Sequence, residues 1–142
     1  MDPLSCAASV IAVIQLTGKI AEICGCYIRK AKNANRDILD LQQKISGLAE
    51  VLQMLEKLLH EPDGSRLATS RKLFDHVTEC SSTLTKVKEK IDPEATRRSI
   101  RRLVGALKWP LEQAEVAEAI GAIDDYKSSF SLALQVDQAY VA

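Results

Sequence analysis

The residues "ILDLQQKISGLAEVLQMLEKLL" (38–59) repeat leucine or isoleucine at intervals of three and four. This spacing places the apolar residues along one side of a helix. That side consists of Ile38, Leu41, Ile45, Leu48, Leu52, Leu55 and Leu59. Polar residues such as Asp40, Lys44 and Glu50 occupy the other sides. The pattern predicts a helix over residues 35–60 that packs its leucine side against other helices.

Two later stretches repeat the pattern, and turn residues separate them. The first contains Leu73, Val77, Cys80, Leu84, Val87 and Ile91, and the second contains Val116, Ile120, Ile123, Tyr126, Phe130 and Leu134. The Pro and Asp-Gly of "EPDGS" (61–65), then Asp92-Pro93 and Trp109-Pro110, are typical helix boundaries. We therefore predict helices over residues 66–91 and 111–138, with a short helix over 93–108 between them.

The first eighteen residues, "MDPLSCAASVIAVIQLTG", hold a single charged side chain, that of Asp2. A signal peptide begins with positive charge, and polar residues interrupt this run too often for a typical membrane span. Asp2-Pro3 is a favourable helix start, which predicts a helix over residues 3–31. Because the apolar residues before Gly18 lie all round this helix, we expect residues 4–16 to be mostly buried against the apolar sides of 38–59 and 73–91.

No segment shows the alternation of apolar and polar residues that predicts a strand. With 142 residues the chain is long enough for one continuous core. The predicted fold is all-α: one domain over residues 1–142, an antiparallel helical bundle of four long helices plus one short helix, with the N-terminal helix largely buried.

The composition argues against several function classes. The 19 basic and 19 acidic residues cancel, and aromatic residues make up only 4% of the chain. Nucleic acid is therefore not an expected partner. The four cysteines, at positions 6, 24, 26 and 80, lack the spacing of a disulfide framework, which favours a reducing, cytoplasmic setting.

The sequence predicts no enzyme, no cofactor and no metal site. Phosphate-binding glycine loops and Glu-x-x-His pairs are absent. Cys24 and Cys26 lie two residues apart, so they point to nearly opposite sides of a helix and cannot bind one ion together. His76 and Cys80 share a side, but Cys80 falls on the apolar stripe, which predicts a core thiol beside a surface histidine.

Charge is uneven towards the end of the chain. Residues 86–108 carry eight basic and three acidic side chains, net +5, and residues 109–142 carry six acidic and one basic, net −5. Arg97, Arg98, Arg101 and Arg102 lie on one side of the predicted short helix, with apolar residues opposite. Two interpretations remain: the arginines contact an anionic membrane surface, or the acidic last helix neutralises them in a solvated surface.

Three stretches resemble a known family: "MDPLSCAASVIAVIQLTGKIAEIC" (1–24), "GLAEVLQMLEKLL" (47–59) and "LKWPLEQAEVAEAIGAIDDYKSSFSLALQVDQ" (107–138). They resemble the fungal N-terminal domain of STAND (NLR-like) proteins, in the HeLo-like group of helical bundles. The resemblance implies a domain placed ahead of a nucleotide-binding or repeat module of the host protein. It also implies kinship with cell-death bundles whose apolar N-terminal helix is released to disturb membranes.

Two hypotheses for function follow. In the first, the protein oligomerises with its own copies, and the N-terminal helix inserts into a membrane through Leu4, Val10, Ile11, Val13, Ile14 and Leu16. The four arginines would hold the bundle at the anionic surface, so a cytoplasmic protein would move to the membrane on activation. In the second, the domain is a non-enzymatic interaction and oligomerisation module without membrane activity.

Overall fold

The computed structural model describes residues 3–30, 36–60, 71–92 and 109–141, and these residues form four helices and no strand. The helices are α1 (Pro3–Lys30), α2 (Arg36–Leu59), α3 (Arg71–Ile91) and α4 (Gln113–Val141). The all-α prediction is confirmed. The predicted short helix over 93–108 lies outside the described residues.

The leucine side of α2 forms the centre of the core, as its spacing predicts. Every residue of that side is buried, and Val51 adds to it. The predicted apolar sides of α3 and α4 also face inward, although Val87, Ile120 and Tyr126 are only half-buried. Burial of these side chains is the main source of stability in a bundle of this size.

Contacts between the helices define a four-cornered bundle. α1 packs chiefly against α2 and α3, and α4 packs against the same two helices. The corners therefore follow the order α1, α2, α4, α3. The consecutive helices α2 and α3 occupy opposite corners. They are therefore not the antiparallel neighbours that the predicted antiparallel bundle implies for consecutive helices.

Side-chain contacts give the direction of each helix. Ala21 and Gly25 of α1 lie beside Gln42, whereas Ile14 and Thr17 share a groove with residues 45–53 of α2, so α1 and α2 run antiparallel. Thr83 pairs with Tyr126 and Lys90 pairs with Glu115, so α3 and α4 also run antiparallel. Tyr27, near the end of α1, bonds the carbonyl of Ile91, the last residue of α3, so these two helices run parallel. The predicted antiparallel packing therefore holds for α1 with α2 and for α3 with α4. It does not hold for the neighbouring helices α1 and α3.

The start of α4 confirms the boundary predicted at Trp109-Pro110. The first bond of the helix runs from the Val116 amide to the Glu112 carbonyl, at 3.0 Å. The Glu115 carboxylate accepts the Glu112 amide at 3.3 Å, which satisfies a free amide at a helix start. The same carboxylate pairs with Lys90 of α3 at 3.1 Å, and the hydrogen bonds from Lys90 and Glu112 lower the pKa of Glu115.

Candidate functional site: the N-terminal helix

α1 occupies a corner of the bundle, so only its inward side is enclosed. Between residues 6 and 18 the inward side is buried and consists of Cys6, Ala7, Val10, Val13 and Thr17. The outward side is exposed and consists of Ala8, Ala12, Gln15 and Gly18. For residues 6–16, whose burial the structure describes, the burial expected of 4–16 therefore holds for one side of the helix and not for the other, because a corner helix has neighbours on two sides only.

The outward side of α1 is uncharged up to Gly18 and carries charged residues after it. From Ala8 to Gly18 it carries no charged residue, whereas the exposed residues that follow include Lys19, Glu22 and Arg29. By length and composition, the segment Cys6–Arg29 is long and apolar enough to cross a membrane, with a mean hydropathy of 1.5. Core helices of soluble proteins and signal sequences share that length and composition, so the uncharged outward side between Ala8 and Gly18 is the more informative observation.

The residues predicted to insert into a membrane do not share one side of α1. Val10 and Val13 are fully buried, whereas Ile11, Ile14 and Leu16 are half-buried. The Leu4 side chain lies outside the described part of the chain. At rest these side chains are distributed between the core and the edges of the corner.

An open groove runs between α1 and α2, with a volume of about 290 Å³. Its lining consists of Ile14, Thr17, Gly18 and Ala21 from α1 and Ile45, Ser46, Ala49, Glu50 and Gln53 from α2. Five of the nine lining residues are small, which leaves space between the two helices: Thr17, Gly18, Ala21, Ser46 and Ala49. Sequence reasoning missed this groove; the signal was the run of small residues at matching levels of two antiparallel helices.

The far end of α1 is fixed by an aromatic contact that sequence reasoning also missed. Tyr27 is buried, and its hydroxyl donates to the Ile91 carbonyl at 2.8 Å. Its ring meets that of Trp109 edge to face, with centroids 5.0 Å apart. Burial raises the pKa of Tyr27 to about 12, so the hydroxyl remains a donor further into the alkaline range than that of an exposed tyrosine. The contact joins α1, α3 and the segment that leads into α4.

A protein-family model matches the sequence over nearly its whole length. The sequence model of the family described as the N-terminal domain of the pigment biosynthesis cluster protein PigL matches residues 1–138. The chain belongs to this family. It is a family of fungal N-terminal domains, in agreement with that part of the resemblance. No curated protein and no solved structure was found to match the chain.

The family match covers the whole of α1, the junction at Trp109 and most of α4. The three stretches on which the resemblance rests, 1–24, 47–59 and 107–138, thus fall within the matched residues. Arg97, Arg98, Arg101 and Arg102 are matched as well, but they lie outside the residues that the structure describes. Their proposed contact with an anionic surface stays a prediction.

Three of the four cysteines of this family member are buried. Cys6, Cys24 and Cys80 are buried, and Cys26 is half-buried. Burial raises the pKa of Cys24 to about 11 and that of Cys80 to about 12. Cys80 lies in the core, as the apolar stripe predicts. Within the described ranges, no group of three or more His, Cys, Asp or Glu is placed to hold a metal ion.

These environments predict that one cysteine reacts well before the others. At pH 8 a thiol with a pKa of about 11 is ionised to about one part in a thousand, and only the thiolate is nucleophilic. We expect a disulfide exchange reagent to modify Cys26 in the folded protein, while Cys6, Cys24 and Cys80 react only after denaturant is added. Peptide mass spectrometry after timed labelling identifies the modified position. Equal labelling of Cys24 and Cys26 would contradict the burial described for Cys24.

Proposed function

We propose that this domain is the non-enzymatic N-terminal effector and signalling domain of a fungal NLR-like (STAND) protein. It acts in programmed cell death, where copies of the chain oligomerise and disturb a membrane through the apolar first half of α1. The proposed partners are other copies, a downstream nucleotide-binding or repeat module, and an anionic membrane to which the cytoplasmic protein is recruited. The observation that carries the proposal is the uncharged outward side of α1 between Ala8 and Gly18.

Release of α1 would leave the packing among the other three helices in place. The helix packs chiefly against two neighbours, so it can leave without disturbing the contacts of α4 with α2 and α3. No charged side chain of residues 6–18 would have to enter the membrane, where a charge is costly. A released helix of residues 3–18 measures about 24 Å, less than the hydrocarbon core of a bilayer, so several copies would act together.

The cost of release supports the link to oligomerisation. Removing the first half of α1 would expose the buried residues of α2 and α3 that it covers, and exposed apolar area is unfavourable in water. Packing between neighbouring copies would cover that surface again. A monomer would therefore keep α1 docked, and an oligomer would compensate for its release.

Basic residues supply the proposed attraction to the membrane. Each lysine or arginine close to an anionic surface contributes about 1 kcal/mol, and salt screens this attraction. Arg97, Arg98, Arg101 and Arg102 are proposed to act in this way. Release of α1 at the membrane would then be favoured over release in solution.

The test is leakage of dye from vesicles of anionic phospholipid, driven by the domain fused to an oligomeric scaffold. We expect the forced oligomers to release the dye, and to release it more slowly at high salt. Deleting residues 1–16 or substituting Ile11→Glu should abolish release, because a charge cannot follow the helix into the acyl region.

The matched control is Leu39→Glu, which places the same charge at an exposed leucine of α2 and should leave release unchanged. Circular dichroism and the size of the oligomer establish that each variant folds and assembles. If assembled wild-type oligomers leave the vesicles intact, membrane disturbance is wrong, and the interaction and oligomerisation module takes its place.

A further inference from the structure

Gly18 lies in the middle of α1 at a position where packing does not require a glycine. A Cβ there would meet no atom within 4 Å. Gly25, seven residues later on the same side, differs, since a Cβ would lie 3.6 Å from the Gln42 amide nitrogen. Glycine inside a helix is less stable than alanine because it loses more backbone freedom on folding. Gly18 therefore weakens α1 at a point where alanine would fit.

The residue before Gly18 weakens the helix at the same level. The Thr17 hydroxyl is buried and donates to the Ile14 carbonyl, one turn earlier, at 2.6 Å. Such a bond competes with the backbone ladder of the helix and often accompanies a bend. Thr17 and Gly18 thus both favour bending of α1 at the same level of the helix.

The two halves of α1 differ in how much they bury. Before Gly18 the buried apolar side chains are small, namely Cys6, Ala7, Val10 and Val13, and the larger Ile14 and Leu16 are only half-buried. After Gly18 the buried apolar side chains are Ile20, Ile23, Cys24 and Tyr27, three of which are large. Because hydrophobic stabilisation grows with buried apolar area, the second half is held more strongly than the first.

Two hydrogen bonds also join the second half to neighbouring helices. Gln42 of α2 donates to the Ala21 carbonyl at 3.1 Å, and Tyr27 donates to the Ile91 carbonyl of α3 at 2.8 Å. The edge-to-face contact of Tyr27 with Trp109 lies at the same end. These contacts fix α1 to three other parts of the domain beyond Gly18.

We propose that α1 opens in two independent parts joined at Gly18: residues 3–17 detach while residues 19–30 remain docked through Tyr27 and Gln42. Its role in membrane disturbance rests on the proposed function, but the two-part opening is a property of the resting domain. The docked half would hold the released half on the bundle, and the charges that begin at Lys19 would mark the limit of the segment that leaves.

Hydrogen exchange of the whole domain, without lipid, measures the opening directly. We expect protection to change in one step at Gly18, with the amides of 8–16 exchanging at least tenfold faster than those of 20–28 after correction for intrinsic rates. Gly18→Ala should slow exchange of 8–16 about fivefold, from the higher helix propensity of alanine, and leave 20–28 unchanged. In forced oligomers the same substitution should slow dye release.

The control is Gly121→Ala in α4, another exposed helical glycine with no atom within 4 Å of a Cβ. It should leave the exchange of α1 and the release of dye unchanged. Simple fraying would give a gradual rise in protection from the helix start, and Gly18→Ala would then not affect residues 8–12; that result overturns the proposal. A step at Gly18 in a domain whose oligomers leave vesicles intact would support the two-part opening and contradict the proposed function.

Discussion

Replacement of Leu48 by alanine should lower the free energy of unfolding by about 2–5 kcal/mol. Leu48 lies on the leucine side of α2 and is fully buried. The substitution removes buried apolar area and leaves a cavity that close-packed neighbours fill only in part. Urea denaturation followed by circular dichroism gives the free energy from the midpoint and slope of the transition.

Leu39→Ala is the matched control on the same helix. Leu39 is 47% exposed, so its removal creates no cavity, and we expect a change within about 0.5 kcal/mol. An equal loss in the two variants would contradict the burial of Leu48, because alanine has a higher helix propensity than leucine and cannot itself cause the loss. An unchanged midpoint for Leu48→Ala would place the leucine side of α2 in solvent or in an interface.

Tyr27→Ala should cost about 3–5 kcal/mol, the range for removal of a large buried aromatic side chain. The substitution removes the ring that meets Trp109 and the hydroxyl that satisfies the last carbonyl of α3 at Ile91. Because Tyr27 joins three parts of the bundle, we expect the loss to appear as one cooperative transition at a lower denaturant concentration. A fluorescence change at Trp109, the one tryptophan of the chain, should follow the same transition.

The hydroxyl of Tyr27 can be tested apart from its ring. Tyr27→Phe keeps the aromatic contact and leaves the buried Ile91 carbonyl without its donor, which should cost about 1–3 kcal/mol. Tyr126→Phe is the control, since its partner, the Thr83 hydroxyl, is half-buried and can bond water instead. Equal costs for the two tyrosines would contradict the importance of the bond to Ile91.

The sequence predicts the helices well because their signals are local. The spacing of leucine and isoleucine in 38–59 identifies both α2 and its inward side, and Trp109-Pro110 marks the boundary before α4. The predicted ends of α1 and α2 agree with the structure to within one residue. These features depend on residues within a turn or two of one another.

The arrangement of the helices depends on contacts that no local pattern contains. Leucine spacing does not tell which helix lies beside which, so the opposite corners of α2 and α3 could not be predicted. The same holds for α1: its apolar residues lie all round the helix in sequence, and only its corner position leaves Ala8, Ala12 and Gln15 outward. The pairing of Tyr27 with Ile91 spans 64 residues and follows from the parallel packing of α1 and α3.

The directions of the four helices also determine where the proposed downstream module would attach. α1 runs parallel to α3 and α4 runs antiparallel to it, so Val141 at the end of α4 lies at the same end of the bundle as Pro3. A module joined after α4 is therefore tethered beside the start of α1, about one bundle length from Tyr27. If such modules form a ring, each attached copy of the domain holds the apolar first half of its α1 on the same side of the ring. Their effective concentration is then set by the spacing of the ring and not by the concentration of protein in the cell.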